Sequence, residues 1–270
     1  PIPATSLLPL LLLPLTGGTD EKIAASAYAD PIVFMYMGGF IIALAIEKCN
    51  LHKRIAMTII SMMGANSNRI ILGTMIATAF ISMWISNAAT ALMMLPIALA
   101  LIQEIKEAQF LKPESTHKFS KALLLTVAYS ASIGGLATLI GSVPNAVFAA
   151  VAASSLDRKI SFAQWMIFAV PVTVILLVIL YFMLTKWLFK IDDAEKISSD
   201  FAKKALHDLG PMRREEKLTG LVFLLVSLLW IFGGLIPDSI HVSDTVIAIL
   251  GAILLFLIPS KKHKGGLLVW

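Results

Sequence analysis

Two short polar stretches sit in sequence that is otherwise hydrocarbon-like. Ser86-Asn87 lies inside residues 70–103, 34 residues without a charge, and Gly141-Ser142-Val143-Pro144-Asn145 lies inside 122–156, another 35 uncharged residues. A hydroxyl, an amide and the carbonyls freed where a helix breaks are oxygen donors that suit a small cation such as Na⁺. A helix that restarts after such a break presents free N–H groups and a positive dipole end, which favours an anion without any buried Lys or Arg. Ser142 is placed as an N-cap and Pro144 in the first turn of such a helix. A plainer chemistry also fits these residue types. Ser and Asn form ordinary hydrogen bonds between membrane helices, Gly134, Gly135 and Gly141 allow close helix packing, and Asn145 serves as a cap or a tie to a neighbour.

The elements that must carry these residues follow from composition and length. The chain has 270 residues, 58% of them hydrophobic and only 14% charged, with a mean hydropathy of +0.85. A soluble domain carries about a quarter charged residues, and the apolar runs here exceed the ~18 residues that mark a membrane span. The expected architecture is an all-α polytopic membrane protein. Arg69 and Glu104 bound the first uncharged run. As one straight helix it would be about 51 Å long, against a bilayer core of ~30 Å, yet two full crossings need more residues. A re-entrant helical hairpin over 68–104, turning at Ser86-Asn87, fits that length. The second run, with three glycines and a proline in its middle, reads as one span broken at 141–144, within 118–156. The remaining segments are a Pro-broken stretch at 1–16, a span at 31–47, an amphipathic interfacial helix at 51–66, a long span at 160–189, a charged linker at 190–217, and spans at 218–236 and 244–259. With both hairpin ends on the cytoplasmic side, nineteen Lys and Arg fall inside and three outside, a strong positive-inside bias.

The same bias accounts for the net charge of +5 without nucleic acid. One cysteine, Cys49, excludes an intrachain disulfide and CxxC chemistry. The five histidines fall in polar segments at no metal-ligand spacing, and no enzyme motif or carboxylate pair occurs in the apolar runs. A proton-coupled carrier uses an intramembrane Asp, Glu or His. None lies in the two long runs, which favours Na⁺ over H⁺ as a coupling ion. Met83, Met93 and Met94 read as packing.

"MWISNAATALMMLPIALAL" followed by "GGLATLIGSVPNAVFA", with "FMYMGGFIIALAIEKCNLHKRIA" before them, resembles the divalent anion:sodium symporter family, which includes the INDY-type dicarboxylate transporters. The resemblance covers nearly all of residues 1–260. It implies two inverted repeats, each with a re-entrant hairpin and a broken helix, in a homodimer that works as an elevator in a bacterial-type plasma membrane. It also implies Na⁺-coupled symport of small di- or tricarboxylates such as succinate, with no organic cofactor. The family's Ser-Asn-Thr hairpin tip reads Ser86-Asn87-Ala88 here, and its Gly-Thr-Pro-Pro-Asn reads Gly141-Ser142-Val143-Pro144-Asn145. By this carry-over Ser86, Asn87, Ala88, Ser142 and Pro144 face the substrate. Ser82, Ser86, Asn87 and the Gly141 backbone hold Na⁺. Ala88 lacks the family's threonine hydroxyl and Val143 replaces a proline, which leaves the choice of anion open. Citrate, sulfate or arsenite permeases, and a membrane scaffold or sensor that keeps the fold, are the alternatives. The implied layout is 1–66 scaffold helices, 67–156 half a transport domain, 157–189 a span, 190–217 a linker, and 218–270 the truncated start of a second half. No second Ser-Asn-Thr follows residue 103, so the expectation is a chain holding one repeat, half of the substrate site and no transport on its own.

Overall fold

The computed structural model describes residues 2–64, 66–107, 110–191, 204, 206–233, 243–260 and 266–268. The principal helices among the described residues are α1 (Ile2–Leu15), α2 (Glu21–Tyr28), α3 (Pro31–Lys48), α4 (Leu51–Met63), α5 (Ser67–Ser82), α6 (Asn87–Glu107), α7 (Pro113–Gly134), α8 (Val143–Leu156), α9 (Phe162–Phe182), α10 (Arg214–Phe232) and α11 (Asp244–Leu257). A π-helical segment, Met183–Leu188, extends α9. The stretches Glu21–Lys48, Asn87–Glu107 and Phe162–Leu188 are long and apolar enough to cross a membrane. The chain is an all-α, multi-pass membrane protein. Most of the linker expected at 190–217 lies outside the described residues.

Helix starts follow local chemistry. Asp20 and Asp30 accept from the backbone N–H of Lys22 and Ile32, and Pro31 opens α3, where its missing N–H and fixed φ are harmless. Ser161 and Gln164 form a reciprocal capping box at α9, and Ser243 caps α11. The first segment is not broken by its prolines: α1 runs unbroken over Pro9 and Pro14. A membrane-type helix tolerates the lost hydrogen bonds when local adjustment satisfies the freed carbonyls.

The hairpin arms are unequal in length. α5 has 16 residues and α6 has 21. The difference is polar: Gln103, Glu104, Lys106 and Glu107 are exposed on the last turn of α6. Over residues 87–102 alone α6 spans about 24 Å, the same as α5.

Packing places α5 at the centre, against α4, α6, α7 and α9. α3 lies against α11 so closely that a methyl group on Gly38 would come within 2.7 Å of the Ala248 backbone. The hairpin turn is anchored by Trp84. Its ring stacks on Phe162 at 6.1 Å and Trp230 at 6.4 Å and meets Phe223 edge-on at 5.0 Å. Trp230 donates to the Asp244 carbonyl, and Asp244 accepts from the Phe162 N–H at 2.8 Å. One aromatic cluster therefore ties the turn to the starts of α9 and α11. At the other end of the molecule, Arg54 Nε sits 2.6 Å from Glu216 Oε2, both side chains largely buried. This pair fixes the amphipathic α4 to the first turn of α10.

Candidate functional site

α5 ends at Ser82, residues 83–86 form the turn, and Asn87 is the first residue of α6. Ser86 stands at the N-cap: its hydroxyl accepts from the Ala89 N–H at 3.4 Å and its carbonyl from Thr90 at 2.9 Å. The other break is longer than expected. α7 stops at Gly134, and α8 begins at Val143, so residues 135–142 leave helical form, rather than 141–144 alone.

Two side chains hold that loop. Asn145 donates from Nδ2 to the carbonyls of Gly135 and Thr138, both at 2.8 Å, closing the loop on itself. Thr138, fully buried, donates to the Met83 carbonyl and accepts from the Gly141 N–H at 3.0 Å. It therefore pins the hairpin turn to the loop. Glycine permits the approach of α7 to the hairpin. A Cβ on Gly134 would press into the Ala79 backbone, and one on Gly135 would come within 2.7 Å of Asn87 Cγ. Gly141 has the Gly135 carbonyl on one side and that of Met83 on the other.

Ser82, Asn87 and Gly141 come together at this junction. The Ser82 hydroxyl donates to the Ala131 carbonyl at 2.6 Å and lies 2.9 Å from the Asn87 amide. With its nitrogen turned inward, the amide donates to the Gly141 and Ala131 carbonyls, each at 3.1 Å, and to Ser82 Oγ at 2.9 Å. With its oxygen inward, the same amide faces those two carbonyls, an arrangement of like dipoles that a cation would relieve. All these groups are neutral. The carbonyl ends of α5 and α7 and the N–H ends of α6 and α8 meet here, so the field comes from backbone dipoles.

The other expected residues stand around this junction. Ala88 and Pro144 are exposed on the first turns of α6 and α8, and Val143 beside them is 56% exposed. Ser142 is half-buried at the N-cap of α8, but its hydroxyl makes no capping bond, which leaves it available to a ligand. Sequence reasoning missed the Ala131 carbonyl and Thr138. A carbonyl leaves no mark in sequence, while Thr138 is the lone hydroxyl within Gly135–Gly141 and was a findable signal.

The family model described as the sodium:sulfate symporter transmembrane region matches residues 1–270. The chain belongs to this family. Relatives within it include the sodium-dependent dicarboxylate transporters SdcS of Staphylococcus saprophyticus, 43% identical over 98% of this chain and 53% of the relative, and of Staphylococcus aureus, 41% identical over the same shares. The chain thus spans about half the length of the curated relatives it matches. As a family member with helices long and apolar enough to span, it is an integral membrane protein.

Proposed function

We propose that this chain supplies one half of the site of a sodium-coupled symporter for small di- or tricarboxylate anions such as succinate. The observation that carries the reading is the Asn87 amide, set between the Ser82 hydroxyl and the carbonyls of Ala131 and Gly141. Na⁺ takes the oxygens of Ser82, Ser86, Asn87 and Gly141, with Ala131 as a further donor. Hard cations take oxygen ligands, and every donor here is a neutral oxygen. The anion's carboxylate then meets Ser86, Asn87, Ala88, Ser142 and Pro144 at the amino ends of α6 and α8, where free N–H groups and dipoles favour negative charge.

Coupling follows from the amide. Its nitrogen and oxygen exchange places by a half-turn about one bond. Without a cation the nitrogen-inward state is satisfied by two carbonyls. With Na⁺ the oxygen turns inward to the ion and the nitrogen turns outward, where it can donate to the carboxylate. Each ligand therefore favours the state the other needs, which is positive coupling between two sites. The hairpin moves with its bound ligands in an elevator motion, within a homodimer, and a second half-site completes the cage.

The test is uptake of labelled succinate into proteoliposomes holding the full chain encoded by the gene, with and without an inward Na⁺ gradient. Na⁺-dependent uptake that is lost in Asn87→Ala and Ser82→Ala supports the reading. Succinate affinity that stays flat across Na⁺ concentrations refutes the coupling. The absent hydroxyl at Ala88 favours a second reading, a permease for citrate, sulfate or arsenite, which competition against labelled succinate separates from the first.

A further inference from the structure

An apolar groove of about 470 Å³ runs between α5 and α9. Its wall extends from Leu72 on α5 to Met83 in the hairpin turn, about 16 Å, and from Val170 to Phe182 on α9. The groove opens sideways between exposed Ile76 and Phe80 on one helix and Val174 and Val178 on the other. No charged side chain lines it. Asn68 donates to the Ile191 carbonyl at 3.4 Å, so the beginning of α5 and the residues just past the π segment lie together at one end. That end is basic. Arg69, Lys186 and Lys190 are exposed there, with Trp187 74% exposed among them. Neither α5 nor residues 162–188 contain an acidic residue. Asp192 and Asp193, beyond Lys190, lie outside the described residues.

We propose that this groove seats an acyl chain of an anionic phospholipid, with the headgroup held by Lys186 and Lys190. The shape suits a single elongated apolar chain, because the groove is long, narrow between two helices and open along its side. The end chemistry selects the charge of the headgroup, since a basic cluster beside a span attracts anionic lipid. Trp187 marks the level at which an amphipathic ring meets headgroups. A neutral lipid would fill the groove equally well but would gain nothing from the lysines.

The deep end of the groove touches the back of the functional site. Met83 follows Ser82, and its carbonyl accepts from Thr138, whose sequence neighbour Ala137 also lines the groove. A seated chain therefore backs the hairpin turn and the Gly135–Ser142 loop. This consequence rests on the proposed function, but the lipid site itself does not.

The experiment reads lipid directly. The full chain is placed in phosphatidylcholine vesicles containing a trace of spin-labelled phosphatidylglycerol or spin-labelled phosphatidylcholine, and the immobilised fraction of each is measured. The wild type should prefer phosphatidylglycerol on the order of tenfold. Lys186→Gln with Lys190→Gln, both on the surface, should bring that preference close to one while some chain immobilisation remains. Val174→Trp, which fills the groove from its exposed side, should remove the immobilised component. An unchanged phosphatidylglycerol preference in the double Gln variant overturns the headgroup assignment. Unchanged immobilisation in Val174→Trp overturns the groove assignment. So does a photocrosslink from a label at Val174→Cys that lands on a protein segment instead of lipid, since a helix would then be the occupant. Sodium-independent lipid retention alongside failed succinate transport would leave the lipid site standing and remove only the symporter reading.

Discussion

Gly135→Ala tests the site with the smallest perturbation available, one methyl group. Gly135 has φ −61° and ψ −16°, a conformation that alanine adopts without strain, so the backbone contributes no cost. The new Cβ would lie 2.7 Å from Asn87 Cγ, whereas ordinary contact begins at 3.4 Å. Asn87 must therefore retreat by at least about 0.7 Å. In the sodium-bound state the same retreat carries the inward-facing Asn87 oxygen away from the ion and from the Ser82, Ala131 and Gly141 oxygens around it, and overpacking there costs about 1–3 kcal/mol where the neighbour cannot yield. A loss of about 2 kcal/mol from the arranged site corresponds to roughly a thirtyfold weaker sodium affinity. The assay is the thermal midpoint of the full chain in detergent, titrated with NaCl against choline chloride at constant ionic strength. Gly220→Ala is the control, because the nearest atom to its Cβ is Leu51 Cδ2 at 3.5 Å. It should stabilise α10 slightly and leave the sodium midpoint unmoved. A Gly135→Ala protein with wild-type sodium response would refute the claim that Asn87 holds the ion at this position.

Three further outcomes follow from the same geometry. Arg54→Met leaves the Glu216 carboxylate buried without its 2.6 Å partner and should destabilise the fold by about 3 kcal/mol, with much of the loss recovered in Arg54→Met/Glu216→Leu; equal stability of the single variant and the wild type in chemical denaturation would contradict this. Ser142→Ala should leave the stability within about 0.5 kcal/mol of the wild type, because its hydroxyl makes no capping bond, while succinate uptake falls; an uptake unchanged by the substitution would remove Ser142 from the proposed anion site. Burial holds the His52 imidazole, on α4, below the usual histidine range. As pH falls below about 6.5 the unfolded chain takes up that proton before the folded one. Stability contributed by neutral His52 is therefore present above that value and lost on acidification. His52→Asn should flatten that part of the stability profile, and identical acid profiles for the two proteins would count against it.

Much of the fold was legible because the membrane restricts the choices. Uncharged runs of 34 and 35 residues cannot be straight single spans, so Ser86-Asn87 and Gly141–Pro144 had to fall near interruptions. The boundaries were less legible. The second break begins at Gly135 because Asn145 and Thr138 satisfy the opened carbonyls and the Gly141 N–H, and hydrogen bonds between residues three to ten apart have no periodic signature. The Pro9 and Pro14 breaks did not occur, since proline in an apolar helix costs little when nearby groups adjust.

By itself the sequence determined the class of molecule, the two polar interruptions and the chemical character of Ser82, Ser86, Asn87 and Ser142, because these follow from hydropathy, length and side-chain type. Only the tertiary structure decided what Asn87 meets. The Ala131 carbonyl arrives from α7, 44 positions later in the chain, through a helix approach that Gly134 and Gly135 permit. The groove between α5 and α9 joins residues almost a hundred positions apart. Such juxtapositions depend on the crossing of packed helices, a property of volumes and contacts that no linear pattern records.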